Sequence, residues 1–229
     1  MKYSIITTQP GIYDSFIKTG LIGRGISREI IEIEIHNLHD FAFDVHRTID
    51  DTPSGGGAGM VLKVDVMSEA LKQVKDAESK SKVVLLTPQG NKFNQAKAKE
   101  FASLDQLVLI AGRFEGYDER IRDLVDEEIS LGDFVLTSGD LPAQMIIDAT
   151  SRMVTSFIEK SASTDEESFE ICHENGKLLL EYPQYTRPEV FQDKKIPDIL
   201  LSGNHAAIAK WRKEQSIIRT KERRPDLIG

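Results

Sequence analysis

Ile31, Ile33 and Ile35 alternate with Glu32, Glu34 and His36. That period of two sends one face of a strand toward a core and the other toward water. Tyr3 to Thr7, Lys82 to Thr87, Gln106 to Ala111 and Phe134 to Thr137 are short and rich in β-branched or aromatic residues. Each closes on or beside Pro, Gly, Ser or Thr, so each reads as a buried strand. Helical periodicity lies between them, over Val64 to Glu78, Asn91 to Ala102 and Asp118 to Val125. This alternation predicts an α/β fold with a parallel sheet and crossover helices. A further helix is predicted over Leu141 to Ile158, where Met145, Ala149, Met153 and Phe157 recur every four residues. Pro142 sits in its tolerant first turn. Asp148 and Arg152 stand one turn apart, so an intrahelical ion pair is one reading of both.

The periodicity stops after Ile158. Lys160 to Ser168 is polar and acidic, and a flexible linker is expected over residues 160–177. It separates a larger domain, 1–159, from a smaller helical one, 178–229. The last helix of the smaller domain is predicted from Asn204 to Thr220, with Ile208, Trp211 and Ile218 on one face and most basic residues on the other. There is no internal repeat and no low-complexity tract.

Composition narrows the setting. With 40% apolar and 29% charged residues in 229, the chain reads as a soluble globular protein. Apolar runs such as Val83 to Leu86 are too short to cross a bilayer, so no membrane partner is expected. Met1 to Thr7 lacks the long apolar core of a signal peptide. A lone cysteine, Cys172, excludes an internal disulfide and suits a reducing compartment, so a cytoplasmic location is expected. The net charge of −8 argues against a phosphate-rich partner, but its distribution changes that. Glu115 to Asp140 holds nine acidic and two basic residues, whereas Lys210 to Gly229 holds seven basic and three acidic. The basic end could hold RNA locally; a solvated helix face is the competing reading.

Four loops could carry chemistry. Asp50 to Met60 contains Gly55, Gly56, Gly57 and Gly59, and so dense a glycine run permits close backbone approach to a flat or phosphorylated ligand. It fits neither the Walker pattern nor the dinucleotide fingerprint, and a surface hairpin without function is the alternative. Thr87-Pro88-Gln89-Gly90, Gly112 to Arg120 and Leu131 to Pro142 each follow or contain a predicted strand. Strand-end loops are where α/β sheets hold ligands, and three of them could line one pocket. Cys172 and the scattered histidines form no metal-ligand cluster.

His46 to Asp51, the glycine loop through Met60, Gly112 to Arg120, Leu131 to Pro142, Glu181 to Pro188 and Leu200 to Ala206 together resemble the bacterial tRNA (guanine-N1) methyltransferase family, TrmD. The six motifs stand in order at compatible spacing across nearly the whole chain. The resemblance implies a SPOUT-type α/β domain with a trefoil-knotted chain, followed by a small C-terminal helical domain that binds tRNA. It implies methyl transfer from S-adenosylmethionine to N1 of the guanosine beside the anticodon. It also implies an obligate homodimer with shared active sites, and magnesium, for which the sequence marks no ligands.

Carried over residue by residue, cofactor contacts fall on Pro88, Gly112, Phe114, Glu115, Leu131, Gly132, Asp133, Phe134, Val135, Leu136, Gly139 and Pro142. Phe114 stands where the family usually has Tyr, and Ser138 where it usually has Gly. Arg152 matches the arginine that steadies the base or its developing charge. Asp50 and Gly55, Gly56, Gly57 and Gly59 match the region contacting the target guanine and its 5′ neighbour. Asn204, His205 and the cations after them would hold the anticodon arm's phosphates. The family's linker carries Asp-Ser-Phe, the Asp being the proposed general base; this chain has Glu167-Ser168-Phe169. Glutamate keeps the carboxylate but adds a methylene, so Glu167 is expected to be the base, with Asp165 and Glu166 as the other candidates and Ser168 beside it in the substrate site. That departure leaves room for a non-catalytic or differently specific SPOUT RNA-binding protein.

Overall fold

Aliphatic runs buried on both faces build the sheet. The computed structural model describes residues 1–158, 167–171 and 176–228, and the chain divides into two compact units after Ile158. In the first unit, β1 (Lys2–Thr7), α1 (Gly20–Ser27) and β2 (Glu32–Asn37) are followed by a hairpin of β3 (Asp50–Asp51) and β4 (Val61–Leu62). Then come α2 (Val64–Val74), β5 (Ser81–Lys92), α3 (Gln95–Ala102), β6 (Gln106–Ala111), β7 (Glu127–Ser130) and α4 (Asp140–Ser151). Five strands pair in the order β2-β1-β6-β5-β7, every pair parallel.

Alternation along each strand divides the core in two. Tyr3, Ile5, Val84, Leu86, Leu107 and Leu109 point to one face, where Phe101 of α3 and Ala143, Ile146 and Ile147 of α4 cover them. Ile6, Val83, Leu85, Val108 and Ile110 point to the other, beneath Val66, Met67, Ala70, Leu71 and Val74 of α2. Gln106 is one of the buried polar residues of the sheet, at 2% exposure. Its amide donates to Ser4 Oγ and Val74 O, and its oxygen accepts from Asp76 N–H, each at 2.8–2.9 Å, so its burial is compensated.

Several predicted elements are corrected. Phe134 to Thr137 is not a strand; the fifth strand is β7, just upstream. Its Glu127 and Glu128 disguise it, yet Lys82 and Lys97 reach Glu127 at 3.1 and 2.7 Å and Arg122 pairs with Glu128. Paired in this way, carboxylates can be carried on an edge strand. Asp118 to Val125 is a short 3-10 turn over Glu119–Leu124, with the Asp118 carboxylate accepting from Arg120 N–H at 3.0 Å. The helix predicted to Ile158 ends at Ser151; Phe157 is buried by packing on Gly25, not by continuing α4. No helix was expected at α1.

In the second unit, β8 (Val190–Phe191) and β9 (Lys194–Lys195) form a small hairpin, followed by α5 (Asp198–Leu201) and α6 (His205–Arg223). Of the expected linker, residues 160–166 and 172–175, with Asp165, Glu166 and Cys172, lie outside the described residues. Residues 167–171 are tied to the unit by Phe169 N–H to Leu179 O and Leu179 N–H to Ile171 O, both 2.9 Å. On α6, Ser216 and Thr220 are the buried residues, Ile208 and Trp211 of the expected apolar face are half-buried, and Ile218, expected on that face, is exposed. Thr220 Oγ1 donates to Ser216 O and accepts from Leu180 N–H, which explains its burial.

Candidate active site

A bulge within β5 and the loops that follow β6 and β7, three adjacent strands, open into one cleft. The β5 loop is a bulge: Ile129 is the partner of both Leu86 and Asn91, so Thr87 to Gly90 leave the ladder. Gly90 allows this, since a Cβ there would lie 2.4 Å from the Glu128 carbonyl carbon. After β6 the chain turns at Gly112, and the Tyr117 ring folds back over it, 2.2 Å from where a Cβ would stand. The Tyr117 hydroxyl lies 3.2 Å from both Leu86 O and Ile110 O, bracing the ends of β5 and β6. Burial pushes the Tyr117 phenol far above its ordinary range, so it remains a protonated donor. After β7, Gly139 N–H donates to Gly112 O at 2.8 Å, joining the third loop to the second.

Of the twelve residues expected to hold a cofactor, Pro88, Gly112, Phe114, Glu115, Leu131, Gly132, Phe134, Val135, Leu136, Gly139 and Pro142 line this cleft. Asp133 does not; its carboxylate pairs with Lys92 at 2.7 Å. Tyr117, Arg113 and Thr137 line it too, unassigned by sequence. Phe114 takes a left-handed backbone (φ 62°), an uncommon conformation that clusters at functional turns.

The glycine loop joins the rim. Asp50 and Asp51 pair antiparallel with Leu62 and Val61, leaving Gly55, Gly56, Gly57 and Gly59 in the connecting turn, all at positive φ. Glu115 N–H donates to Met60 O and Leu62 N–H to Gly116 O, both at 3.0 Å. A Cβ on Gly59 would stand 2.3 Å from Glu115 Cγ. The expected substrate loop and the expected cofactor loop are therefore stitched edge to edge.

Arg152 stands elsewhere. α4 starts at the cleft rim and Arg152 caps its opposite end, about 15 Å from Pro142 at the usual helical rise, and it does not line the cleft. Glu167, Ser168, Asn204 and His205 belong to the second unit. Ser168 Oγ accepts from Glu181 N–H at 3.0 Å. Asn204 N-caps α6, its side-chain oxygen accepting from Ala207 N–H at 3.1 Å, while His205, Lys210 and Lys213 are exposed. Asn204→Ala is expected to cost about 1 kcal/mol of stability through the lost cap; a denaturation midpoint unchanged from the parent would show the cap to be dispensable.

Among the described residues no group of three His, Cys, Asp or Glu could hold a metal ion, and no helix is long and apolar enough to cross a membrane. A parallel sheet with a glycine-floored cleft beyond its strand ends defines the class of α/β proteins that hold a small ligand at that edge. The model of the family described as tRNA (Guanine-1)-methyltransferase TrmD matches residues 1–229, and the chain belongs to that family. It is 48% identical to the tRNA (guanine-N(1)-)-methyltransferase of Geobacter sp. (strain M21) over 229 residues, covering 100% of this chain and 90% of the relative. It is 44% identical to the protein of the same name from Nostoc punctiforme, covering 100% of this chain and 93% of that one.

Proposed function

We propose that this protein transfers a methyl group from S-adenosylmethionine to N1 of the guanosine 3′-adjacent to the anticodon of tRNA, position 37. The observation that carries this reading is the full-length match to relatives named for that transfer. The cleft suits the donor: Gly112 and Gly139 let its loops pack closely on one another and on Tyr117, and Leu86, Ile129, Leu131 and Leu136 supply apolar wall for a flat base. Bound there, the donor supplies an electrophilic methyl and a neutral thioether leaving group. The chain's own part is to align and to move one proton, and alignment alone is worth about 7–11 kcal/mol in well-held cases. The Glu167 carboxylate takes the N1 proton as the N1–carbon bond forms and the sulfur–carbon bond breaks. The Arg152 guanidinium donates to guanine O6, favouring the negative charge that builds there. Asp50 and the glycine loop read the guanine edge, with Ser168 beside Glu167. Asn204, His205 and the α6 cations meet anticodon-arm phosphates.

A homodimer completes the site. Arg152 lies a helix length from the cleft of its own chain, which a second subunit's Arg152 could reach. Val135, Leu141 and Met145, exposed by 85%, 51% and 56%, are the apolar surface such an interface would cover. The knotted topology, the division into a 1–159 catalytic and a 178–229 tRNA-binding domain, and a cytoplasmic location belong to the same reading.

Selectivity tests it. Replacing the target guanosine of a tRNA transcript with adenosine is expected to abolish transfer, since adenine N1 offers the Glu167 carboxylate a lone pair in place of an N–H donor and adenine has no O6 for Arg152, so the base is not held for attack. Methylation of that transcript at a comparable rate would overturn the roles of Asp50 and Glu167.

A further inference from the structure

Asp140 has no place in the steps above, yet its setting is unusual. It opens α4 directly after the cleft-lining Gly139, and it is 1% exposed. Thr7 Oγ1 donates to Oδ1 at 2.6 Å and the Tyr13 hydroxyl donates to the same oxygen at 2.9 Å. Its backbone N–H donates to Oγ of Ser138, another cleft residue, at 3.3 Å. Oδ2 is buried and accepts no hydrogen bond from any described residue. Two hydroxyl donors and the amino end of a twelve-residue helix favour negative charge at this point. A buried carboxylate with one oxygen idle is costly, and an amide or a hydroxyl would serve the scaffold at less expense.

We infer that Asp140 is the fixed counter-charge for the sulfonium of the methyl donor, acting across the Ser138–Gly139 wall of the cleft. A sulfonium is a cation and its thioether product is neutral. A carboxylate held behind the wall therefore favours the donor over the product, retaining one and releasing the other. Asp140 stands directly behind the cleft, following the lining residues Ser138 and Gly139 in the chain and bonded through its own N–H to Ser138 Oγ. Burial, with the Asp140 charge beside it, pushes the Tyr13 and Tyr117 phenols upward, and both stay neutral. The inference rests on reading the cleft as the S-adenosylmethionine site.

The test is binding, not turnover. Affinities for S-adenosylmethionine and S-adenosylhomocysteine are measured by calorimetry on the parent, Asp140→Asn and Asp140→Glu. The ratio of the two affinities is expected to shift by roughly tenfold toward the thioether in Asp140→Asn, the effect of one charge about 10 Å away at an effective dielectric of about 20. Asp140→Glu should keep the parent's ratio. Equal weakening of both ligands in Asp140→Asn would make Asp140 a wall-building residue and overturn the inference. Should Asp140→Asn not fold, the parent itself decides. Its Asp140 carboxylate carbon resonance, assigned by its loss in Asp140→Glu, should move on binding the sulfonium more than on binding the thioether, and equal movement contradicts the proposal. A parent that binds neither ligand defeats the reading of the cleft instead.

Discussion

Gly112→Ala is expected to weaken S-adenosylmethionine binding by about 10–100-fold, the equivalent of roughly 1–3 kcal/mol of overpacking. The added methyl would stand 2.2 Å from the Tyr117 ring. That ring cannot swing aside cheaply, because its hydroxyl braces the ends of β5 and β6. The alternative is to move the Gly112 carbonyl, which holds Gly139 N–H and with it the third loop. Either route deforms the floor of the cleft. Gly11→Ala is the control: its Cβ meets nothing within 4 Å, and affinity should be unchanged. Calorimetric titration reads both, and a Gly112→Ala protein with parental affinity would mean that the cleft is not where the donor binds.

Glu167→Gln is expected to lower methyl transfer by roughly 100-fold or more while leaving cofactor affinity intact. The amide keeps the size and hydrogen bonding of the side chain but lacks a basic oxygen. Glu167→Asp, which restores the family's residue, should keep most of the activity, because the linker need only advance by one methylene. Single-turnover kinetics separate the chemical step from binding. Near-parental rates in Glu167→Gln together with a dead Asp165→Asn or Glu166→Gln would move the base to a neighbour. Full activity in all three would leave the proton to water.

What could be read from the chain and what could not divide along physical lines. β1, β5 and β6 are legible because strands covered on both faces need continuous apolar runs. β7 is not: its two glutamates look like surface until Lys82 and Lys97, distant in sequence, and Arg122 in the preceding turn are seen to pair with them. Phe134 to Thr137 has strand composition for a different reason, since those apolar residues line the cleft and its rim. α1, with three glycines in eight residues, contradicts helix propensity. Gly25 is needed there because a Cβ would stand 2.5 Å from the Phe157 ring.

The site follows the same division. The strand-end loops were visible as punctuation, and eleven of the twelve residues that the resemblance implies for a cofactor line one cleft. Local sequence hides the joints between loops: Gly112 to Gly139, Tyr117 across two strands, Gly59 against Glu115. Asp140 was hidden as well, for a Gly-Asp-Leu-Pro turn reads as a helix start. Its importance appears only when Thr7 and Tyr13, more than 120 residues upstream, converge on it.

The most direct measurement is methyl incorporation from labelled S-adenosylmethionine into an unmodified tRNA transcript, followed by digestion and identification of the labelled nucleoside and its position. The expected product is 1-methylguanosine at the guanosine following the anticodon and nowhere else. Label in another nucleoside, at another position, or absent from tRNA under conditions where the protein binds the donor would contradict the proposed function.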